Sequence, residues 1–313
     1  MSLLSGTIQP PLLSLLSSTS EPPLSPLFRQ HTDQSADSSI TFVEDTTSSL
    51  LSAGSSSSAP SRSTPHTQVK SESKGCISHN VIHIQSPKLR KTYIQAGRSR
   101  SEYLRNIEKA KGKGRALDEE ASMSVSLPLG IELPWLSLQL KRLGRREISF
   151  EVGIVDQKGR EGVVRFSSFK HNPTAHPYHN PPLIHLPLQL PSITQSTLTS
   201  WLHIPINLSS LLPLFSKLPR PQADPHDDDN HENGNGDADG VISNRKRRRI
   251  STTSKVSELP GGNFASVSYI RVYANCRIRR IWFSAEGEKT IRSMGKNVQD
   301  EWELYAAAAG QVV

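Results

Sequence analysis

Arg271, Arg277, Arg279 and Arg280 are the residues in this chain best typed and spaced for chemistry. Guanidinium groups on one face bind carboxylates through paired N–H donors, so they are candidates for contact with an acidic partner. The plainer alternative is that they pair with Asp or Glu on adjacent strands and keep a sheet edge soluble. A second cluster, Arg245, Lys246, Arg247, Arg248 and Arg249, follows an acidic block running from Asp224 to Asp239. Such a run is read by nuclear import receptors or grips phosphates. Alternatively, it is a solvated run neutralised by its acidic neighbours. Ser251, after Arg248-Arg-Ile, fits a basic-directed kinase site, where phosphate would lower the local positive charge.

His171, His176, His179 and His185 would bind zinc only if the fold converged them, and no Cys or carboxylate frame accompanies them. A flexible loop is the expected outcome. Trp135, Trp201, Trp282 and Trp302 suit either a stacking platform for sugars or bases or, as the preferred reading, a sandwich core. No Gly-x-Ser-x-Gly, His-Glu-x-x-His, Walker loop or dinucleotide fingerprint occurs. The expectation is a non-enzymatic protein without a cofactor.

The arginines depend on the stretch 268–284. Ile270, Val272 and Ala274 fall on one face of an extended strand, and Tyr269, Arg271 and Tyr273 on the other. After Asn275 the alternation resumes, with Cys276 and Ile278 against Arg277 and Arg279. It slips by one residue after Arg280, so that Ile281 and Phe283 become the apolar pair. This predicts two half-buried strands, a bend at Asn275 and a bulge at Arg279–Arg280. Arg277 and Arg279 then point outward, with Arg271 on the neighbouring strand.

Elsewhere the chain breaks into blocks. Residues 1–32 form an N-terminal segment suited to a first strand. Residues 33–75 are Ser/Thr-rich and read as a disordered insertion. Residues 76–218 read as the core, interrupted by a charged insertion at 96–122 in which Glu102 to Lys111 suits a short helix. Leu133 to Leu140 suits a short helical turn. Ile148, Phe150 and Val152 alternate, Asp156-Gln-Lys-Gly159 suits a hairpin turn, and Val163 to Phe166 follows. Residues 219–262 read as a disordered acidic and basic insertion, and 263–313 complete the fold. Many short strands and turns predict an all-β, antiparallel sandwich with insertions in its loops.

The run from Val272 to Ser284, with Asn-Cys-Arg-Ile-Arg-Arg inside it, resembles the near-C-terminal signature of the cilia- and flagella-associated protein 20 family. Leu129 to Trp135, Ser149 to Val152, Val155-Asp156 and Ser200 to Leu208 resemble further strands of that family, in the same order. Thr92 to Ile94 and Leu12 to Leu24 match more weakly. The resemblance implies a jelly-roll-like sandwich. It also implies tubulin and axonemal proteins as partners, and a bracing role on microtubule doublets in the cilium. The alternatives are a nuclear protein- or nucleic-acid-interaction factor and, more weakly, a carbohydrate-binding module.

Composition fits one modest core. The chain has 313 residues and is 35% hydrophobic, with a net charge of +8 that favours acidic partners such as tubulin tails or nucleic acid. Two cysteines, Cys76 and Cys276, make no disulfide framework and suit a reducing, intracellular compartment. The N-terminal leucines lack an early basic residue and make a poor secretory signal, and no apolar run is long enough to span a bilayer.

Overall fold

The computed structural model describes residues 2–4, 8–24, 26–45, 80–112, 127–190, 201–218 and 259–302. Alternating strands stack into two sheets around a shared apolar interior. The first sheet contains β1 (Leu12–Ser17), β3 (Ser39–Glu44), β4 (Asn80–Gln85), β6 (Trp135–Arg142), β11 (Trp201–Asn207) and β13 (Cys276–Ser284). Its order is β11-β6-β13-β4-β3, and β1 also lies along β13. The second sheet runs β2-β5-β12-β7-β8-β10-β9. It is built from β2 (Phe28–His31), β5 (Tyr93–Gly97), β7 (Ser149–Asp156), β8 (Glu161–Ser167), β9 (Thr174–His176), β10 (Leu183–Pro187) and β12 (Phe264–Tyr273). The expected all-β sandwich is therefore the fold. One described pairing departs from the antiparallel expectation: β10 runs parallel to β8.

Period-two patterning decides which face each residue takes. Ile82 and Ile84 of β4, Leu136, Leu138 and Leu140 of β6, and Ile278, Ile281 and Phe283 of β13 enter the core from the first sheet. Phe150, Val152, Ile154, Ile270 and Val272 meet them from the second. Each such side chain contributes about 1.5–3 kcal/mol through removal from water. The anticipated helical turn at Leu133 to Leu140 is instead part of β6. There Leu136, Leu138 and Leu140 alternate with Ser137, Gln139 and Lys141, a strand period that a helix could not sort into two faces.

The bend and the bulge lie where the alternation breaks. Asn275 takes φ 75°, and its side-chain oxygen accepts from the Ser86 N–H at 3.2 Å. In the pairing with β6, Ile278 faces Leu140 and Arg280 faces Gln139, so Arg279 is the extra residue. The slip keeps Ile281 and Phe283 in the core. The chain does not fold back at Asn275 as a hairpin, however: β12 belongs to the second sheet and β13 to the first. Arg271 is thus not beside Arg277.

Two further expectations change, and one holds. Within the span read as a disordered insertion, residues 39–44 form β3 and Asp45 is buried, because Ile40, Phe42 and Val43 have partners on β4. The helix expected in the charged insertion is α1 (Arg100–Gly112). The tryptophans do not fill the space between the sheets: Trp201 and Trp282 are buried on the outer face of the first sheet, alongside Lys141 and Ser137. Among the described residues there are also the short α-helices α2 (Leu212–Ser216), α3 (Glu288–Arg292) and α4 (Lys296–Trp302).

Candidate functional site

Arg271 stands in a line of polar residues that crosses the outer face of the second sheet. Strand register aligns Arg29, Gln95, Arg271, Glu151, Arg165 and His185 on six successive strands. Glu151 is only 2% exposed, and its carboxylate accepts from Arg165 at 2.7 Å, from Arg271 at 3.0 Å and from the Tyr269 hydroxyl at 3.2 Å. Arg271 also donates to the Gln95 side chain at 2.7 Å and lies over the Tyr93 ring, 4.6 Å from its centre. Burial opposes the charge on Arg165 and Arg271, but Glu151 and the neighbouring tyrosines outweigh it, and both pKa values rise. Burial, then Glu151, pushes the Tyr269 hydroxyl well up and Tyr273 to about 12. Two fixed cations therefore share one buried carboxylate, leaving this spot with a positive excess.

Above Glu151 lies a cavity of about 390 Å³. Val163, Leu183 and Tyr269, which pack against one another, supply its apolar part. Arg165 and Arg271 supply the cationic part, and Glu102 and Arg105 of α1 stand at one side, with Asn180 and Pro181 of the β9–β10 loop at another. The helix is held in place by Glu161, a residue of β8. Its carboxylate accepts from the Arg100 and Ser101 N–H groups at 3.0 and 2.9 Å, and from the hydroxyls of Ser99, Ser101 and Ser268. A carboxylate at a helix N-terminus satisfies orphan donors and opposes the positive end of the helix dipole. Neither Glu151 nor Glu161 stood out in the sequence. The detectable signal was Ser99-Arg-Ser-Glu102, a capping-box pattern at the start of α1.

The other three arginines lie on the opposite side of the molecule and are not an open face. Arg277, Arg279 and Arg280 are 7%, 3% and 4% exposed. Arg277 points away from the core as alternation requires, but Asp45 covers it and accepts from it. Asp45 also accepts from Lys141 at 3.2 Å and from the Trp201 indole at 2.9 Å. Arg280 lies over the ring of Trp302 at 4.7 Å, and Trp302 meets Trp282 edge-on. The expected single arginine surface is thus corrected to one accessible member, Arg271, and three buried ones. Outward from the core is not the same as exposed when a second layer packs on the sheet.

Residues 38–217 match the family model of the CFA20 domain. The chain belongs to the CFA20 domain family. No individual curated protein matches it. The span matched to the CFA20 domain ends before β12 and β13, although these strands are central to their sheets.

The histidines scatter. His171 and His176 are exposed, His179 lines the cavity, and His185 is buried against the Ser167 hydroxyl at 2.7 Å. Among the described residues no three His, Cys, Asp or Glu side chains are grouped to hold a metal ion. Burial and the charges of Arg165 and Lys170 lower the His185 pKa to about 4. Trp201 and Trp282 are buried and offer no stacking platform, whereas Trp135 and Trp302 are partly buried. Arg245, Lys246, Arg247, Arg248, Arg249 and Ser251 lie outside the described residues. No helix among the described residues is long and apolar enough to cross a membrane.

Proposed function

We propose that this CFA20-domain protein is a non-catalytic adaptor of the microtubule cytoskeleton. It binds tubulin and neighbouring axonemal proteins and braces doublets in the cilium. The observation supporting this reading is the cationic recess formed by Arg165 and Arg271 on strands and Arg105 on α1, in a chain of this family. Guanidiniums held charged and oriented on strands suit the acidic surface of tubulin. The test is co-sedimentation of the purified protein with microtubules. Binding should weaken as salt rises, because screening cuts exposed charge attraction. Protein that stays in the supernatant at low salt would sink the reading.

The run Arg245 to Arg249 favours a second reading, a nuclear interaction factor built on the same sandwich. Replacing Arg245, Lys246, Arg247, Arg248 and Arg249 by Ala should move a fluorescent fusion from nucleus to cytoplasm. A wild-type fusion that never enters the nucleus removes this reading.

A further inference from the structure

We propose that the cavity over Glu151 is a docking site for an acidic peptide segment of a partner chain. One of the segment's carboxylates would meet the guanidiniums, and a neighbouring apolar side chain would settle on Val163, Leu183 and Tyr269. The inference rests on the adaptor reading only for the identity of the partner; the site itself follows from the lining.

Three features select this ligand class. The cavity volume, about 390 Å³, falls in the range of sites that enclose a small group or a few side chains. Its lining is divided, with an apolar patch on one side and guanidinium groups on the other. That division fits a ligand with an anionic head beside an apolar body. Finally, the cations are not all consumed by the protein itself. Nη1 of Arg271 donates to Glu151 at 3.0 Å and to the Tyr273 hydroxyl at 3.2 Å, and its Nε donates to Gln95. Arg165 binds Glu151 through its Nε and one terminal nitrogen, at 2.8 and 2.7 Å. Among the described residues, each guanidinium therefore keeps a second terminal nitrogen for a ligand. Arg105 is exposed on α1, and Glu102 beside it is paired to Arg98 at 2.7 Å.

The sign and size of the ligand charge also follow. Glu151 and Glu102 line the same cavity, so a dianionic phosphate would meet two carboxylates at close range, whereas a monoanionic carboxylate meets less repulsion. All the cations are arginines, whose planar fork matches a carboxylate. Preorganisation helps as well, since the strands and the capped helix fix the lining before the ligand arrives.

The test uses the full chain and a fluorescein-labelled peptide of glutamates ending in tyrosine, read by anisotropy. The peptide should bind, and Arg105→Glu should weaken binding about tenfold without lowering the melting temperature. Leu183→Trp, which fills the apolar side, should weaken it by a similar factor. Arg145→Glu makes the same charge change at an exposed position outside the cavity and should leave the affinity unchanged. The site is overturned if the peptide fails to bind, or if Arg145→Glu weakens binding as much as Arg105→Glu. It is also overturned if phosphotyrosine or duplex DNA competes at lower concentration than the peptide. Peptide binding without microtubule co-sedimentation would keep the site and remove tubulin as its partner. Co-sedimentation without peptide binding would do the reverse.

Discussion

Asp45 and Arg277 stand 232 positions apart in the chain and meet in a buried ion pair at 2.5 Å. Lys141 and the Trp201 indole donate to the same carboxylate. The aspartate thus ties the end of β3 to β6, β11 and β13 across the outer face of the first sheet.

Removing the shared acceptor should hurt more than removing one donor. Asp45→Ala removes the buried carboxylate that Lys141, Arg277 and the Trp201 indole share, a loss of about 3–5 kcal/mol. Arg277→Ala should cost about 1.5–3 kcal/mol, because Lys141 still balances the carboxylate. Urea unfolding measures both. Equal losses would show that Asp45 does not organise the cluster.

Core strand register is tested on β13. Ile278→Ala and Phe283→Ala each remove a fully buried side chain and should lower stability by about 2–5 kcal/mol. Arg145→Ala, on an exposed loop, should stay within about 0.5 kcal/mol. If Ile278→Ala or Phe283→Ala cost no more than Arg145→Ala, the register given for β13 would be wrong.

His185 should shape the acid limb of stability. Its pKa falls from 6.5 to about 4 in the fold, so the unfolded chain binds a proton that the folded chain refuses. The contribution is complete above pH 6.5 and is lost as pH falls through about 4. His185→Gln should flatten the decline across that window in melting curves taken against pH. An unchanged slope would show that another group sets it.

Asn275 carries a left-handed backbone conformation and a hydrogen bond to Ser86. Asn275→Gly keeps the first and loses the second, a cost of about 1 kcal/mol. Asn275→Val loses both and adds steric strain at positive φ, so about 2–3 kcal/mol is expected. Thermal denaturation that ranks glycine below valine would contradict the geometry of the bend.

Much of this architecture could be read from alternation alone. The faces of β12 and β13, the bend at Asn275, the bulge at Arg279, the Asp156–Gly159 turn and the helix near Glu102 all follow from local spacing. What local spacing could not carry was pairing over distance. Alternation assigns Arg271 and Arg277 to non-core faces, but nothing in it says that the two strands belong to different sheets. Nor does it reveal that Asp45 covers Arg277, since that contact joins opposite ends of the chain. β3 was hidden in a Ser/Thr-rich stretch whose average composition masked six residues with partners on β4. The recess over Glu151 was hidden as well, because it depends on contacts of Glu151 and Glu161 with residues far away in the chain.

The placement of β13 bears on how the protein is made. It pairs with β1, Leu12 opposite Ser284, and with β4 and β6. β12 likewise lies between β5 and β7. The ribosome delivers all of these neighbours before the strands that join them. Until residue 284 has left the exit tunnel, both sheets lack a central member, and their unpaired strand edges stay open to the wrong neighbours. Such distant pairings also slow folding. The nascent chain therefore passes through an interval in which those edges are open to a wrong strand before the right one has been made.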